Sequence, residues 1–160
     1  MHRTSFAPVA ASLFAAGVFA TSAAAQVIDL GGACAGSFVP PSLTAAIQGS
    51  TVNIALASPG APYSSISLGV VMLGFSAANV TLPCGCILGP SLDSLLVAGF
   101  FTAPATPTIP LVVPVGLTGV GMLLQGVEFF DPAAPIAANA RCLDFGLAFN
   151  FSNAVGVLLP

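Results

Sequence analysis

Thr51-Val52-Asn53-Ile54-Ala55-Leu56-Ala57-Ser58 is the stretch that decides the fold class of this chain. Its large apolar residues fall on every second position, so Val52, Ile54 and Leu56 share one face of an extended strand. A repeat of two marks a half-buried β-strand, whereas a helix would repeat at about 3.6. Leu143-Asp144-Phe145-Gly146-Leu147-Ala148-Phe149 alternates as cleanly and predicts a strand with Leu143, Phe145, Leu147 and Phe149 facing in.

Working outward from these two, apolar runs with weaker alternation cover 43–48, 65–75, 94–102, 108–113, 120–129 and 154–158. Turn-formers separate them at Ser58-Pro59-Gly60, Leu88-Gly89-Pro90, Ala103-Pro104, Asp131-Pro132 and Ser152-Asn153. With 17 Gly and 14 Pro in 160 residues, few apolar stretches run long enough for a helix. The pattern predicts an all-β protein, an antiparallel β-sandwich of immunoglobulin-like or jelly-roll-like type with about eight strands. The prolines of 104–114 suit an edge strand, where a missing amide hydrogen is tolerated. Residues 26–41, with Gly31-Gly32, Gly36 and Pro40-Pro41, read as an irregular lead-in tied down through Cys34, and 42–160 as the sandwich domain.

The first 25 residues read differently. Met1-His2-Arg3 supplies a positive start, 9–20 a short apolar middle, and Ala23 and Ala25 the small residues that signal peptidase requires. The apolar middle is nearer 12 residues than the roughly 20 that span a bilayer, so 1–25 is expected to be a cleaved export signal. No later window offers about 18 uninterrupted apolar residues, and the most apolar region is cut by Pro104, Pro107, Pro110 and Pro114. An outer-membrane barrel would carry aromatic girdles; here Trp is absent and Tyr63 is the sole tyrosine.

Past the signal the chain has no histidine and no lysine, and Arg141 is its one basic residue against five acidic ones. Nucleic acid and anionic lipid surfaces both draw on Lys and Arg, so neither is an expected partner. Charged residues are 4% of the chain, against roughly a quarter in an ordinary domain. Such a surface adheres readily to itself, to other surface proteins or to polymers.

Cys34, Cys84, Cys86 and Cys142 form an even set behind an export signal, which favours two disulfides in an oxidising compartment. Four cysteines allow three pairings, and spacing does not choose among them. Cys84-Gly85-Cys86 would give a strained, reducible bond if it closed on itself. Exchange catalysis also needs a thiolate stabilised by a helix N-terminus or a cation, and the flanking Leu82-Pro83 and Ile87-Leu88 suggest strand or turn. Structural half-cystines, each bonded elsewhere, are the preferred reading.

Hydrolytic chemistry finds little footing. A nucleophilic serine needs a base, normally histidine, which the exported chain lacks. Glu128 and Asp131 are the nearest carboxylate pair, but at a strand end they need not converge; they are expected to keep the Phe129-Phe130 end wetted. The same pair is the chain's candidate for Ca²⁺, a hard ion that takes oxygen ligands. Arg141 is expected to pair with a local carboxylate, and the many Phe residues to serve mainly as core. Asn79-Val80-Thr81 and Asn150-Phe151-Ser152 have the glycosylation pattern, which matters only in a host with that machinery. No catalytic, cofactor-binding or metal residue is assigned, and no cofactor is expected.

Several segments in order resemble a known pattern: Gly31-Gly32-Ala33-Cys34-Ala35-Gly36-Ser37, Leu82-Pro83-Cys84-Gly85-Cys86-Ile87-Leu88, Gly119-Val120-Gly121-Met122-Leu123-Leu124-Gln125 and Phe151-Ser152-Asn153-Ala154-Val155. Together they are similar to a largely uncharacterised family of small exported β-sheet domains, abundant in planctomycetes and some myxobacteria. The resemblance implies architecture and location, and it carries no activity. It also implies that Cys34 pairs with Cys86, which makes Cys84 and Cys142 a departure from the pattern and the second bridge.

The expected function is therefore a non-enzymatic structural or interaction module, secreted to the extracellular space or cell surface of a bacterium, with the periplasm as the other compartment. A carbohydrate- or surface-polymer-binding sandwich is the alternative, and a thiol-disulfide oxidoreductase using Cys84-Gly85-Cys86 a distant one.

Overall fold

The computed structural model describes residues 25–34, 39–59, 66–102, 104–130, 143–144 and 147–159. Within it Thr51–Ala57 is a strand in which Val52, Ile54 and Leu56 are buried and the residues between them half-buried. In chain order the strands are β1 (Gln26–Gly31), β2 (Ser42–Gln48), β3 (Thr51–Ala57), β4 (Ile66–Gly74), β5 (Ala77–Thr81) and β6 (Ile87–Pro90). They continue with β7 (Ser94–Thr102), β8 (Thr108–Val112), β9 (Gly121–Phe130), β10 (Leu143–Asp144) and β11 (Leu147–Leu158). Among the described residues there is no helix.

All pairings are antiparallel. The main sheet runs β1-β11-β9-β4-β7, with β10 beside β11; β2-β3-β8 form a second sheet, and β5-β6 a two-stranded ribbon. Leu43, Val52, Ile54 and Leu56 of the second sheet pack against Val71, Leu73, Met122, Leu124, Val155 and Val157 of the main one. This is sandwich packing, with the core filled by alternate residues of both inner faces. Leu56 seats tightly on the main sheet: its methyl carbons occupy the space that a Cβ on Gly126 would need and crowd the one that Gly69 would carry.

The ribbon lies on the opposite, outer face of the main sheet. There Met72, Val127 and Phe151 pack with Cys86 in a smaller apolar cluster of their own. β9 carries both patterns: Met122 and Leu124 face the second sheet, and Gln125 and Val127 face the ribbon. Pro110 in β8 sits on the edge of the second sheet, as its missing N–H requires.

Four expectations are corrected. Residues 26–41 are not wholly an irregular lead-in, because Gln26–Gly31 pairs with β11 from Gln26↔Leu158 to Gly31↔Ala154. Leu88-Gly89-Pro90 is not a turn but part of β6, where Pro90 stands opposite Ala77 at the ribbon's end. Ser152-Asn153 does not separate two strands; both lie inside β11, at a register shift between Phe151 and Ala154. Polar residues that read as a break are here a bulge, in which Ser152 and Asn153 oppose the single residue Gly126 and one extra residue is taken up without ending the strand. The 143–149 stretch is not one strand: Leu143–Asp144 pairs back antiparallel on 147–148, Phe145 lies outside the described residues, and Phe149 faces the outer side, where its ring meets those of Phe129 and Phe151.

Candidate functional site

The sequence singled out Cys84-Gly85-Cys86, and the fold places it at the tip of the ribbon. Gly85 takes φ 84°, in the left-handed region that glycine tolerates, and its N–H donates to the Leu82 carbonyl at 2.8 Å. Leu82 N–H donates to the Cys86 carbonyl at 2.8 Å, which closes the turn. Cys86 is buried and bonded to Cys34, 52 residues away, the pairing that the resemblance implied. Cys34 is in turn held to Phe151 by reciprocal backbone bonds of 2.9 and 2.8 Å. Cys84 is disulfide-bonded as well, and Cys142 lies outside the described residues. The sulfur of Cys86 is therefore committed to Cys34 and not to its neighbour Cys84.

Two side-chain amides that sequence reasoning passed over organise the surroundings. Gln125 is 1% exposed although polar. Its Oε1 accepts from Gly89 N–H at 2.9 Å, and its Nε2 donates to the carbonyls of Ile87 at 3.1 Å and Ser152 at 3.2 Å. Asn153 plays the same part at the sandwich corner, its Oδ1 accepting from Leu43 N–H at 2.7 Å. Its Nδ2 donates to the Leu43 carbonyl at 3.1 Å and to Asp29 Oδ1 at 2.9 Å. A carboxamide carries the donor and acceptor of a peptide group, so each amide substitutes for a missing strand. Ser152 completes the bulge, its Oγ accepting from Gly126 N–H and donating to the Asn153 carbonyl, both at 2.7 Å. The one sequence signal for Gln125 was a polar residue inside an apolar run.

Two exposed carboxylates have local partners. Gly31 N–H and then the Asn153 amide hold the Asp29 carboxyl below its ordinary range. The Ser91 hydroxyl and then Phe75 N–H do the same for Asp93. Glu128 departs from its expected role. It is 4% exposed and accepts a bond from Ser58 Oγ at 2.9 Å, with Asn150 opposite it in register. β9 has a neighbour on each side, and its even-numbered residues face the second sheet, so this position points into the sandwich instead of wetting a strand end. Asp131, Arg141 and Tyr63 lie outside the described residues. Among the described residues no group of three or more His, Cys, Asp or Glu gathers. Of the two glycosylation patterns, Asn150 is buried in β11 while Asn79 is exposed with φ 50°.

Between β1 and the ribbon runs an open groove with recesses of about 240 and 400 Å³. Ile28, Leu30, Phe75 and Leu123 make it mostly apolar. Beyond the ribbon, toward β7, the same outer face is uncovered. Ile66 is 67% exposed, Leu95 61%, Val97 66% and Phe100 77%.

No family model, curated protein or solved structure matches the chain.

Proposed function

We propose that this chain is a non-enzymatic structural or interaction module, exported to the bacterial surface or extracellular space. The observation that carries this reading is where its polar and apolar side chains lie. Gln125, Ser152, Asn153 and the Ser58–Glu128 pair bond strand to strand, while Ile66, Leu95, Val97 and Phe100 stand in solvent on one sheet face. Apolar surface presented in this way suits a contact. The resemblance to small exported β-sheet domains supports the same reading. So does β1, whose first residue, Gln26, directly follows the expected cleavage point. The Cys34–Cys86 bond fits an oxidising compartment and leaves redox chemistry at Cys84-Gly85-Cys86 the weakest reading.

The test is fractionation of producing cells, with N-terminal sequencing and a hydrolase and transferase screen of the purified protein. The chain should begin at Gln26, lie outside the inner membrane and turn over no substrate. Turnover abolished by Glu128→Gln would sink the reading. A polymer-binding role takes its support from the groove beside the ribbon. Its apolar lining offers a sugar few hydroxyl partners, so that role ranks second.

A further inference from the structure

We propose that two copies of this chain associate through the uncovered half of the main sheet's outer face, with Phe100 at the centre of the contact. The inference rests on the structural-module reading and names its partner: a second copy of the same chain.

The surface is one continuous face. Leu68 of β4 lies between Phe100 of β7 and Phe129 of β9, and Phe129 stands opposite Phe149 of β11. Val97 and Leu95 continue the face along β7 through their partners Val70 and Met72, and Ile66 closes its other end opposite Thr102. The ribbon covers Met72, Val127 and Phe151 with its own apolar layer, and Phe129 and Phe149 pack against the edge of that cluster.

Area and charge together name the occupant. An aromatic side chain hides about 150–250 Å² when buried. At their fractional exposures Ile66, Leu95, Val97 and Phe100 leave on the order of 400 Å² of apolar surface in water. A standard interface hides about 800 Å² on each partner, so these four side chains supply about half, and half-buried neighbours such as Phe129 and Phe149 extend it.

Of the three acidic side chains that the structure places, Asp29 is bonded to Asn153 at the far edge strand and Glu128 points into the sandwich. Asp93 borders the face, two residues before Leu95, and is held there by Ser91 Oγ and Phe75 N–H. Among the described side chains, then, two identical copies can meet about a two-fold axis at Phe100 with Asp93 left at the rim and no charge buried between them. Among the same side chains, Asp93 at the rim is the one charge that could pair with those of a charged partner.

Sedimentation velocity over a concentration series, on the full exported chain purified in oxidised form, tests the proposal. A dimer is expected by tens of micromolar. Phe100→Thr and Val97→Thr, polar changes that keep strand propensity, should each weaken it by about tenfold. Leu95→Lys, which places in the contact a charge that each copy would have to desolvate, should leave a monomer. Val115→Thr removes an equally exposed apolar side chain from a turn and should leave the dimer intact. Urea midpoints identify any variant that misfolds, and the remaining two then carry the test.

A wild-type monomer at about 100 µM overturns the proposal, as does an assembly indifferent to all three substitutions. A monomer that still fractionates with the cell envelope would overturn the dimer and leave the module reading standing. A dimer with turnover that Glu128→Gln abolishes would do the reverse.

Discussion

At Asn153 the side-chain oxygen accepts from Leu43 N–H while the nitrogen donates to the Leu43 carbonyl. One carboxamide thus gives the edge of β2 what a neighbouring strand would give it. Asn153→Ala leaves both backbone groups part-buried and unpaired, and such groups cost about 1–3 kcal/mol each. Its urea midpoint should fall well below that of the parent, with little change in denaturant slope. Asp29 accepts from the same amide, which brings a pH dependence. Its folded pKa is depressed by Gly31 N–H and then by Asn153, and that of Asp93 by the Ser91 hydroxyl and then by Phe75 N–H. A depressed carboxyl adds stability above its unfolded pKa and loses it as pH falls through the folded one. The urea midpoint should therefore decline below about pH 4, and less steeply in Asp29→Asn/Asp93→Asn. An equal decline in that double variant would assign the acid sensitivity elsewhere. These roles were hard to read because Ser152-Asn153 is also a good turn signal, and only the long-range pairing of β11 with β9 makes it a bulge.

The strands themselves were more legible. Ser94–Thr102 was found with its observed bounds, and β3, β8 and β9 to within a residue or two; in β3 a buried face forces a repeat of two, and the others stood out as apolar runs between turn-formers. The ribbon and β1 were not found. β1 and β5 are exposed at every residue, so they leave no alternation to read, and β6 is only four residues long. Glycine stands inside both β4 and β9. The structure assigns Gly126 and Gly69 a shared purpose, since Leu56 of the facing sheet rests against both. Gly126→Ala should force that contact apart at about 1–3 kcal/mol, the usual cost of overpacking. In a Leu56→Ala background, which opens the space, the same substitution should be nearly neutral. The double-mutant cycle would then show a coupling of about 1 kcal/mol or more between two side chains in direct contact. Simple additivity across the cycle would mean that the two sheets do not meet there as described.

The described residues pack in two apolar clusters, and the Cys34–Cys86 bond ties together regions distant in sequence. The larger cluster joins the two sheets; the smaller lies under the ribbon and includes Cys86. Charge pairing has little to contribute in a chain whose charged residues are 4% of the total. The Cys34–Cys86 bond closes a loop across a separation of 52 residues and spans β2 through β5. On chain-entropy grounds a loop of that length is worth about 4 kcal/mol, against a total near 5–15 kcal/mol for an ordinary domain. Cys34→Ser/Cys86→Ser should therefore lose a large part of its stability, read as a lower urea midpoint. The loss should also be uneven. The ribbon is anchored by Gln125, the small cluster and the disulfide, so amide exchange should rise first in β5 and β6, while β3 and β9 stay protected up to the global transition. Uniform exchange through both clusters would show that the ribbon is cooperative with the sandwich, and an unchanged midpoint would make the bond incidental to stability. Because β7 makes no ladder with the ribbon, the same variant should keep its apolar outer face and dimerise whenever it is folded. Loss of the dimer in a folded Cys34→Ser/Cys86→Ser protein would place the contact on the ribbon and not around Phe100.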